Sequence, residues 1–204
     1  MIEPAGIAVF AKAPVPGYAN TRLAPLLGVE GAAALQAALI ERTVATALAA
    51  RLGPVSLCCA PDRDYPLFAR LAAAHGVGLF DQQGPDLGAR MAAAFDTLAP
   101  PPLLLVGTDC PALTPEHLRD CAAALARGDD AVFLPVEDGG YVLVGLKRPC
   151  SELFAGIAWG TGRVMAETRA RLLASGLSWS EPAVLWDIDE PRDYDRYLAL
   201  ASAG

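Results

Sequence analysis

Short apolar runs alternate along the chain with longer stretches in which apolar residues recur every three or four positions. The runs "AGIAVFAK" (5–12), "VSLCCA" (55–60), "VGLF" (77–80) and "LLLVGTD" (103–109) read as strands, the last as the most deeply buried of them. Leu35, Leu39, Val44, Leu48 and Leu52 mark a helix over 29–52 that Gly53-Pro54 ends. "YPLFARLAAAHG" (65–76) reads as a second helix closed by Gly76, and "DLGARMAAAFDTL" (86–98) as a third with Asp86 at its N-cap. "TPEHLRDCAAALARG" (114–128) places Thr114 at an N-cap, Pro115 at the first helical position and Gly128 past the end.

This strand-helix order predicts an α/β fold of three α/β/α layers, with a mainly parallel sheet covered on both faces. The rhythm then changes. "DAVFLPVE" and "GGYVLVGL" are two strands joined by a short turn, an antiparallel excursion. "GTGRVMAETRARLLASG" predicts another helix, "AVLWDID" (183–189) a late strand, and "PRDYDRYLALA" a final helix. No repeat and no low-complexity linker interrupts the pattern, so residues 1–204 are expected to form a single domain. Its ligand belongs at the carboxyl ends of the parallel strands, where the loops gather.

Composition narrows the partners. Hydrophobic residues are 53% of the chain and mean hydropathy is +0.33, which gives a substantial core. A net charge of -7 and a pI near 4.8 argue against a nucleic-acid groove or an anionic membrane surface as the main partner. The Met1 end has no basic segment leading into an apolar one, and no run of about 18 apolar residues stands out. Cys58, Cys59, Cys110, Cys121 and Cys150 are odd in number and contain no CxxC spacing, as expected of reduced thiols in a cytoplasmic protein.

Candidate chemistry starts at the end of "LLLVGTD". Asp109 follows directly on a buried strand, where an anion loses solvation unless a cation or hydrogen-bond donors compensate. A hard divalent ion, Mg²⁺ or Mn²⁺, does so; so do the backbone N–H groups of a turn that the side chain caps, and the spacing leaves both open. "VLWDIDEPRDY" repeats the arrangement. Asp187 and Asp189 are two apart on an extended segment and share a face, either over the same ion or with Asp189 as an N-cap and Asp187 in solvent. "VEDGGYVLVGL" holds Asp138, Gly139, Gly140 and Tyr141. Paired glycines let a ligand approach the backbone, while Asp-Gly is equally a hairpin-turn signal.

The first strand runs into "FAKAPVPGYANTRLAPLLG" (10–28), a long loop stiffened by Pro14 and Pro16. Loops of this length usually carry function. Lys12 and Arg22 are its cations, with Gly17 between them, and together with backbone N–H groups they suit a diphosphate. Solvated side chains fit the pattern as well, since it is neither a P-loop nor a dinucleotide fingerprint. His75 at a helix end and His117 in a first turn read as structural. Trp159 fits a pocket wall or the core.

Taken in order, "FAKAPVPGYANTRLAPLLG", "GPDLGARMAAAF", "GTDCPALTPEHL", "DGGYVLVGL", "WGTGRV" and "DIDEPRDY" resemble a family of small bacterial glycosyltransferase-like proteins. Part of that family is the arsenosugar-biosynthesis glycosyltransferase type. It belongs with the nucleotide-diphospho-sugar transferases of GT-A fold, and the chain is also similar to phospholactate guanylyltransferase and, more distantly, to molybdopterin-guanine dinucleotide synthase. The resemblance covers nearly the whole chain. It implies a Rossmann-like GT-A sheet, an amino-terminal nucleotide-binding half, a metal aspartate at Asp109 and a late one at Asp187 or Asp189. Nucleotide contacts are implied for Ala11, Lys12, Gly17 and Arg22 in the opening loop. Arg90, Thr108, Gly139 and Gly140 complete that set. Relatives read Lys-Thr-Arg-Leu where "NTRL" stands here, so Asn20 takes the place of a lysine and removes one cation from the loop.

Three functions compete on this basis. The first is a Mg²⁺- or Mn²⁺-dependent glycosyltransferase with a nucleotide-sugar donor, a small-molecule acceptor and, for an inverting reaction, Asp138 as general base beside Asp109. The second is a nucleotidyltransferase that takes a nucleoside triphosphate and a phosphorylated acceptor; the missing lysine weakens it. The third is a non-catalytic nucleotide-binding domain. Each is compatible with a homo-oligomer.

Overall fold

Strand β1 (Gly6–Lys12) lies inside a seven-stranded sheet and is buried along its length up to Lys12. The computed structural model describes residues 4–98 and 102–202; the Met1 end considered for a leader lies outside them. Chain order continues with α1 (Ala24–Ala50), β2 (Val55–Ala60), α2 (Pro66–His75), β3 (Gly78–Asp81), α3 (Leu87–Thr97), β4 (Leu103–Gly107) and α4 (Pro115–Arg127). Next come β5 (Ala131–Pro135), β6 (Tyr141–Leu146), α5 (Val164–Ala174), β7 (Trp179–Ser180) and α6 (Pro191–Ser202). The sheet order is β3-β2-β1-β4-β6-β5-β7. β6 pairs antiparallel with both β4 and β5, and every other pair is parallel. This is the mixed, mostly parallel α/β fold that the apolar pattern predicts.

The two faces of the sheet follow from the two-residue period of a strand. Ile7, Val9 and Ala11 join Leu57, Leu104 and Val106 in a core that Ile40 and Val44 of α1, Phe68 of α2 and Leu118 of α4 cover. Ala8 and Phe10 point the other way, into a core with Met91 and Phe95 of α3, Phe133 of β5 and Met165 of α5. By length and composition α1 could also cross a membrane, with a window of mean hydropathy 1.2. Here its Ala32, Ala33, Leu39, Ile40 and Val44 stripe is buried in the fold. Burial pushes the thiols of Cys58, Cys59, Cys110 and Cys121 up to about 12, so these free cysteines act as packing groups.

Helix ends obey the expected caps. Asp86 Oδ1 accepts the Ala89 N–H at 2.8 Å. Thr114 and His117 form a reciprocal capping box, which gives His117 its structural role. One helix start is irregular and one predicted strand is absent. α1 starts at Ala24, but Gly28 (φ 72°, ψ 164°) breaks it, so the continuous helix begins at Val29 as the spacing predicts. Residues 183–189 do not form a strand. They make one isolated bridge, Val136 to Leu185, and the edge strand is the short β7 just before them. Pro182 comes after that edge, and Trp186 and Ile188 are drawn to a side cluster with Leu23, Leu35 and Leu39 instead of the sheet.

Gly145 on β6 shows how tightly the antiparallel strand fits between its neighbours. A Cβ there would lie 2.5 Å from a Leu104 methyl and 2.6 Å from a Val132 methyl, both side chains fully buried. Gly145→Ala is expected to lower unfolding stability by about 1–3 kcal/mol, read as a lower urea midpoint with an unchanged slope.

Candidate active site

The chain builds the sheet outward from β1 to β2 and β3, then returns to lay β4 on the other side of β1. At such a reversal the connecting segments leave the strand ends in opposite directions and a crevice opens between them. Phe10 is in register with Gly107, so the residues immediately after these two wall the crevice. A cleft of about 1000 Å³ lies there, bordered by Ala11 and Lys12 from one strand and by Thr108 and Asp109 from the other. Arg22, Arg90 and Asp189 also border it. Among the predicted site residues Gly17, Asp138, Gly139, Gly140 and Asp187 lie off its wall.

Asp109 forms the floor. It faces solvent in the cleft yet sits in a dense protein surround, and this surround pushes its carboxyl above the usual range. The hydrogen bond from Thr108 and the nearby Gln36 amide oppose that rise, the charge of Asp189 adds to it, and Lys12 opposes it. The Thr108 hydroxyl donates to Asp109 Oδ1 at 3.1 Å, and Gln36 Nε2 donates to Thr108 Oγ1 at 3.1 Å. Thr108 and Gln36 are each 4% exposed. Gln36 escaped the sequence reading, although the signal was present. It sits with Ala32, Ala33, Leu39 and Ile40 on the buried stripe of α1, where a polar side chain requires a partner. Thr43, the other polar residue of that stripe, bonds back to the Leu39 carbonyl of its own helix.

The opening loop forms one wall. Lys12 Nζ donates to the Tyr18 carbonyl at 2.7 Å, which folds the loop against its own strand. Gly17 (φ 80°) makes the turn that allows this. Asn20 has φ 45°, a left-handed conformation that asparagine adopts more readily than most residues. Arg22 ends the loop in an ion pair with Asp189, and that pair spans the mouth of the cleft.

The late segment brings the other carboxylates. The Ile188 N–H donates to the Asp109 carbonyl at 2.8 Å, which sets Asp187 and Asp189 on either side of a direct contact with the cleft floor. Asp187 is pushed up to about 6, first by burial and then by the charge of Asp138; its own backbone N–H opposes this, and Asp109 and Asp189 add to it. Asp187 thus lies within the field of three other aspartates, but among the described residues no three metal-ligating side chains converge as a preformed cage.

The hairpin turn before β6 explains its glycines differently. Asp138 is exposed and its Oδ1 accepts the Gly140 N–H at 2.8 Å, closing the turn. Gly139 (φ 92°) lies against the Gly162 carbonyl, which a Cβ would meet at 2.2 Å. The glycine pair therefore packs two turns of the chain together. Tyr141, at the start of β6, does border the cleft; its hydroxyl is buried without a partner among the described residues, and burial raises its pKa. Trp159 packs edge-on to the Tyr141 ring, with centroids 6.3 Å apart. On α3, Arg90 Nε is held by the Gly84 carbonyl at 3.1 Å.

Several known proteins are similar to this chain. The model of the family "Uncharacterized protein conserved in bacteria (DUF2064)" matches residues 43–161. No curated protein matches the chain. A candidate nucleotide-diphospho-sugar transferase from Desulfovibrio desulfuricans is 29% identical, with a TM-score of 0.81 over 92% of this chain and 83% of that one. A cytidylyltransferase from Leptospira borgpetersenii is 12% identical, with a TM-score of 0.67 over 99% and 88% of the two chains. Glucosyl-3-phosphoglycerate synthase from Mycobacterium tuberculosis, solved with Mn²⁺, uridine diphosphate and glucosyl-3-phosphoglycerate, is 10% identical, with a TM-score of 0.57 over 97% and 76%. The last two likenesses show the fold alone.

The raised pKa of Asp187 has a sign that experiment can read. The folded state holds this proton more tightly than the unfolded chain, whose value is the ordinary 3.8. The destabilising contribution is therefore full above about 6 and is relieved as pH falls toward 3.8. Asp187→Asn is expected to raise the Tm at about pH 8 and to raise it less at about pH 5. Scanning calorimetry at the two pH values checks this, and an equal gain at both would contradict it.

Proposed function

The chain belongs to the DUF2064 family, and from that premise we propose that it is a metal-dependent transferase that takes a nucleotide-diphosphate sugar as donor and a small-molecule acceptor, acting in the cytoplasm. One observation carries the reading: a strand-end carboxylate, Asp109, on the floor of a cleft of about 1000 Å³ whose wall presents Lys12 and Arg22. The likeness to the Desulfovibrio protein over most of both chains supports it.

The donor groups suit a hard divalent cation, since all are carboxylate oxygens. Mg²⁺ is commonly held by one or two carboxylates and completed by substrate phosphates, which fits a site without a preformed cage among the described residues. Asp109 would hold the ion, with Asp189 as second carboxylate. When bound, the ion neutralises the diphosphate and stabilises the departing nucleoside diphosphate. Lys12, fixed on the Tyr18 carbonyl, keeps a positive charge beside the donor. Arg22 leaves Asp189 for the phosphate, so one exchange of partners frees a carboxylate and supplies a cation. Arg90 stands across the cleft. Asp138 closes its own turn and stands off the wall, so proton transfer is not placed on it.

Two cations suit a diphosphate better than a triphosphate. Asn20, in the place of a lysine, takes a left-handed backbone conformation and reaches only the Ala32 carbonyl at 3.5 Å. This favours glycosyl over nucleotidyl transfer. Incubation with Mn²⁺ and panels of nucleotide sugars and nucleoside triphosphates is expected to release nucleoside diphosphate from a sugar donor. Pyrophosphate release from a triphosphate would instead assign nucleotidyl transfer. Asp109→Asn should abolish Mn²⁺-dependent nucleotide binding by calorimetry with the fold intact. Arg22→Ala should weaken nucleoside diphosphate binding by on the order of 1.5 kcal/mol and leave nucleoside binding unchanged. Equal losses for nucleoside and nucleotide would show that the loop does not read phosphate.

A further inference from the structure

Gln36 lies 72 residues before the hydroxyl it bonds, and it borders the cleft beside Thr108 and Asp109. Its surroundings are apolar: Ala32, Ala33, Leu39 and Ile40 share its stripe and are buried with it. A leucine would fill such a position without polar cost, whereas a buried amide is unfavourable unless it is hydrogen-bonded. The bond it makes is to Thr108, and Thr108 in turn bonds Asp109.

The direction of this chain of bonds is set by the groups themselves. An ionised carboxylate only accepts, so the Thr108 hydroxyl spends its one proton on Asp109. Its oxygen is then free only to accept, and the group facing it has to donate. The Gln36 amide does so through Nε2. A second α1 side chain holds the same loop further on, where Arg42 Nε donates to the Pro111 carbonyl at 2.9 Å. α1 thus grips the segment 108–111 at both ends, with a buried amide at the end that carries the carboxylate.

We propose that Gln36 is a positioning residue for Asp109: through the Thr108 hydroxyl it fixes the orientation of the carboxylate on the cleft floor before any ligand arrives. Its consequence for metal binding rests on the functional reading above; its consequence for the carboxylate does not. Groups that orient a metal ligand from behind typically change metal affinity by roughly 10- to 100-fold when removed.

The test compares the wild type with Gln36→Leu, Thr108→Val, the double variant and Thr108→Ser. One readout is the side-chain carboxyl carbon resonance of Asp109 by NMR in metal-free protein. The other is Mn²⁺ affinity in the presence of inorganic pyrophosphate, by calorimetry. Gln36→Leu and Thr108→Val are each expected to shift the Asp109 resonance and to weaken Mn²⁺ binding roughly 10- to 100-fold. The double variant should lose less than the product of the two single losses, because the residues act in one chain of bonds. Thr108→Ser, which keeps the hydroxyl, should match the wild type in both. An unmoved Asp109 resonance in Gln36→Leu, or fully multiplicative losses, would overturn the proposal. A wild type that binds no Mn²⁺ with pyrophosphate would overturn the functional reading, and the NMR readout would still decide the role of Gln36.

Discussion

An anion at the end of a buried strand has to be compensated, and the fold around Asp109 is arranged to do it. β4 is buried from Leu103 to Val106, and the next polar groups are Thr108 and Asp109 at the crevice. The carboxylate is exposed and borders the cleft. Everything else that approaches it is specific: a hydroxyl from its own chain neighbour, an amide from α1, a carbonyl contact to Ile188 and the charge of Lys12. Among the described residues Asp109 and Asp187 have no ion-pair partner, whereas Asp189 is paired with Arg22. A divalent cation with a diphosphate is the ligand chemistry we propose for these carboxylates and for the cations that share the cleft.

The carboxyl-terminal part of the chain maintains this unfavourable arrangement. Residues 186–189 have no strand partners, yet Trp186 and Ile188 are buried against Leu23, Leu35 and Leu39. Tyr194, Tyr197 and Leu200 of α6 pack on the same cluster. Arg196 stacks 4.4 Å from the Trp186 ring centroid and forks onto Glu137 with bonds of 2.9 and 3.1 Å. One helix therefore ties the acidic segment to the hairpin turn that carries Asp138. The repulsion felt by Asp187 is held in place by apolar packing a few residues away, and the same cluster contains Leu23, next to Arg22. Movement of the opening loop and of Asp189 thus shares one hydrophobic support.

Legibility in the sequence tracked how local each cause is. The strands from β1 to β6 and the caps at Asp86 and Thr114 follow from apolar period and capping chemistry within a few residues, and they were readable. Helix α1 was readable from Val29 because Gly28 does interrupt it. The late strand was misread because "AVLWDID" has a strand's apolar content, while its burial partners, Leu23 and Leu35, are far away in the chain. The glycines at 139 and 140 read equally as a ligand approach or a hairpin turn; the carbonyl of Gly162 that presses on Gly139 is invisible to local pattern. Asp109, Lys12, Arg22 and Asp189, read from strand ends and a cationic loop, do border one cleft. Gln36 was missed because its partner lies on another element, though a glutamine on an apolar stripe was the available clue.

The central question is where a divalent cation sits when a diphosphate is present. Crystals of the wild-type protein soaked with Mn²⁺ and a nucleoside diphosphate, measured at the manganese absorption edge, locate the ion directly. The expected result is one anomalous peak in the cleft, at about 2.0–2.3 Å from an Asp109 carboxylate oxygen, with the phosphates beside Lys12 and Arg22 withdrawn from Asp189. A peak coordinated by other residues with Asp109 uninvolved, or a nucleotide bound away from the ends of β1 and β4, would contradict it.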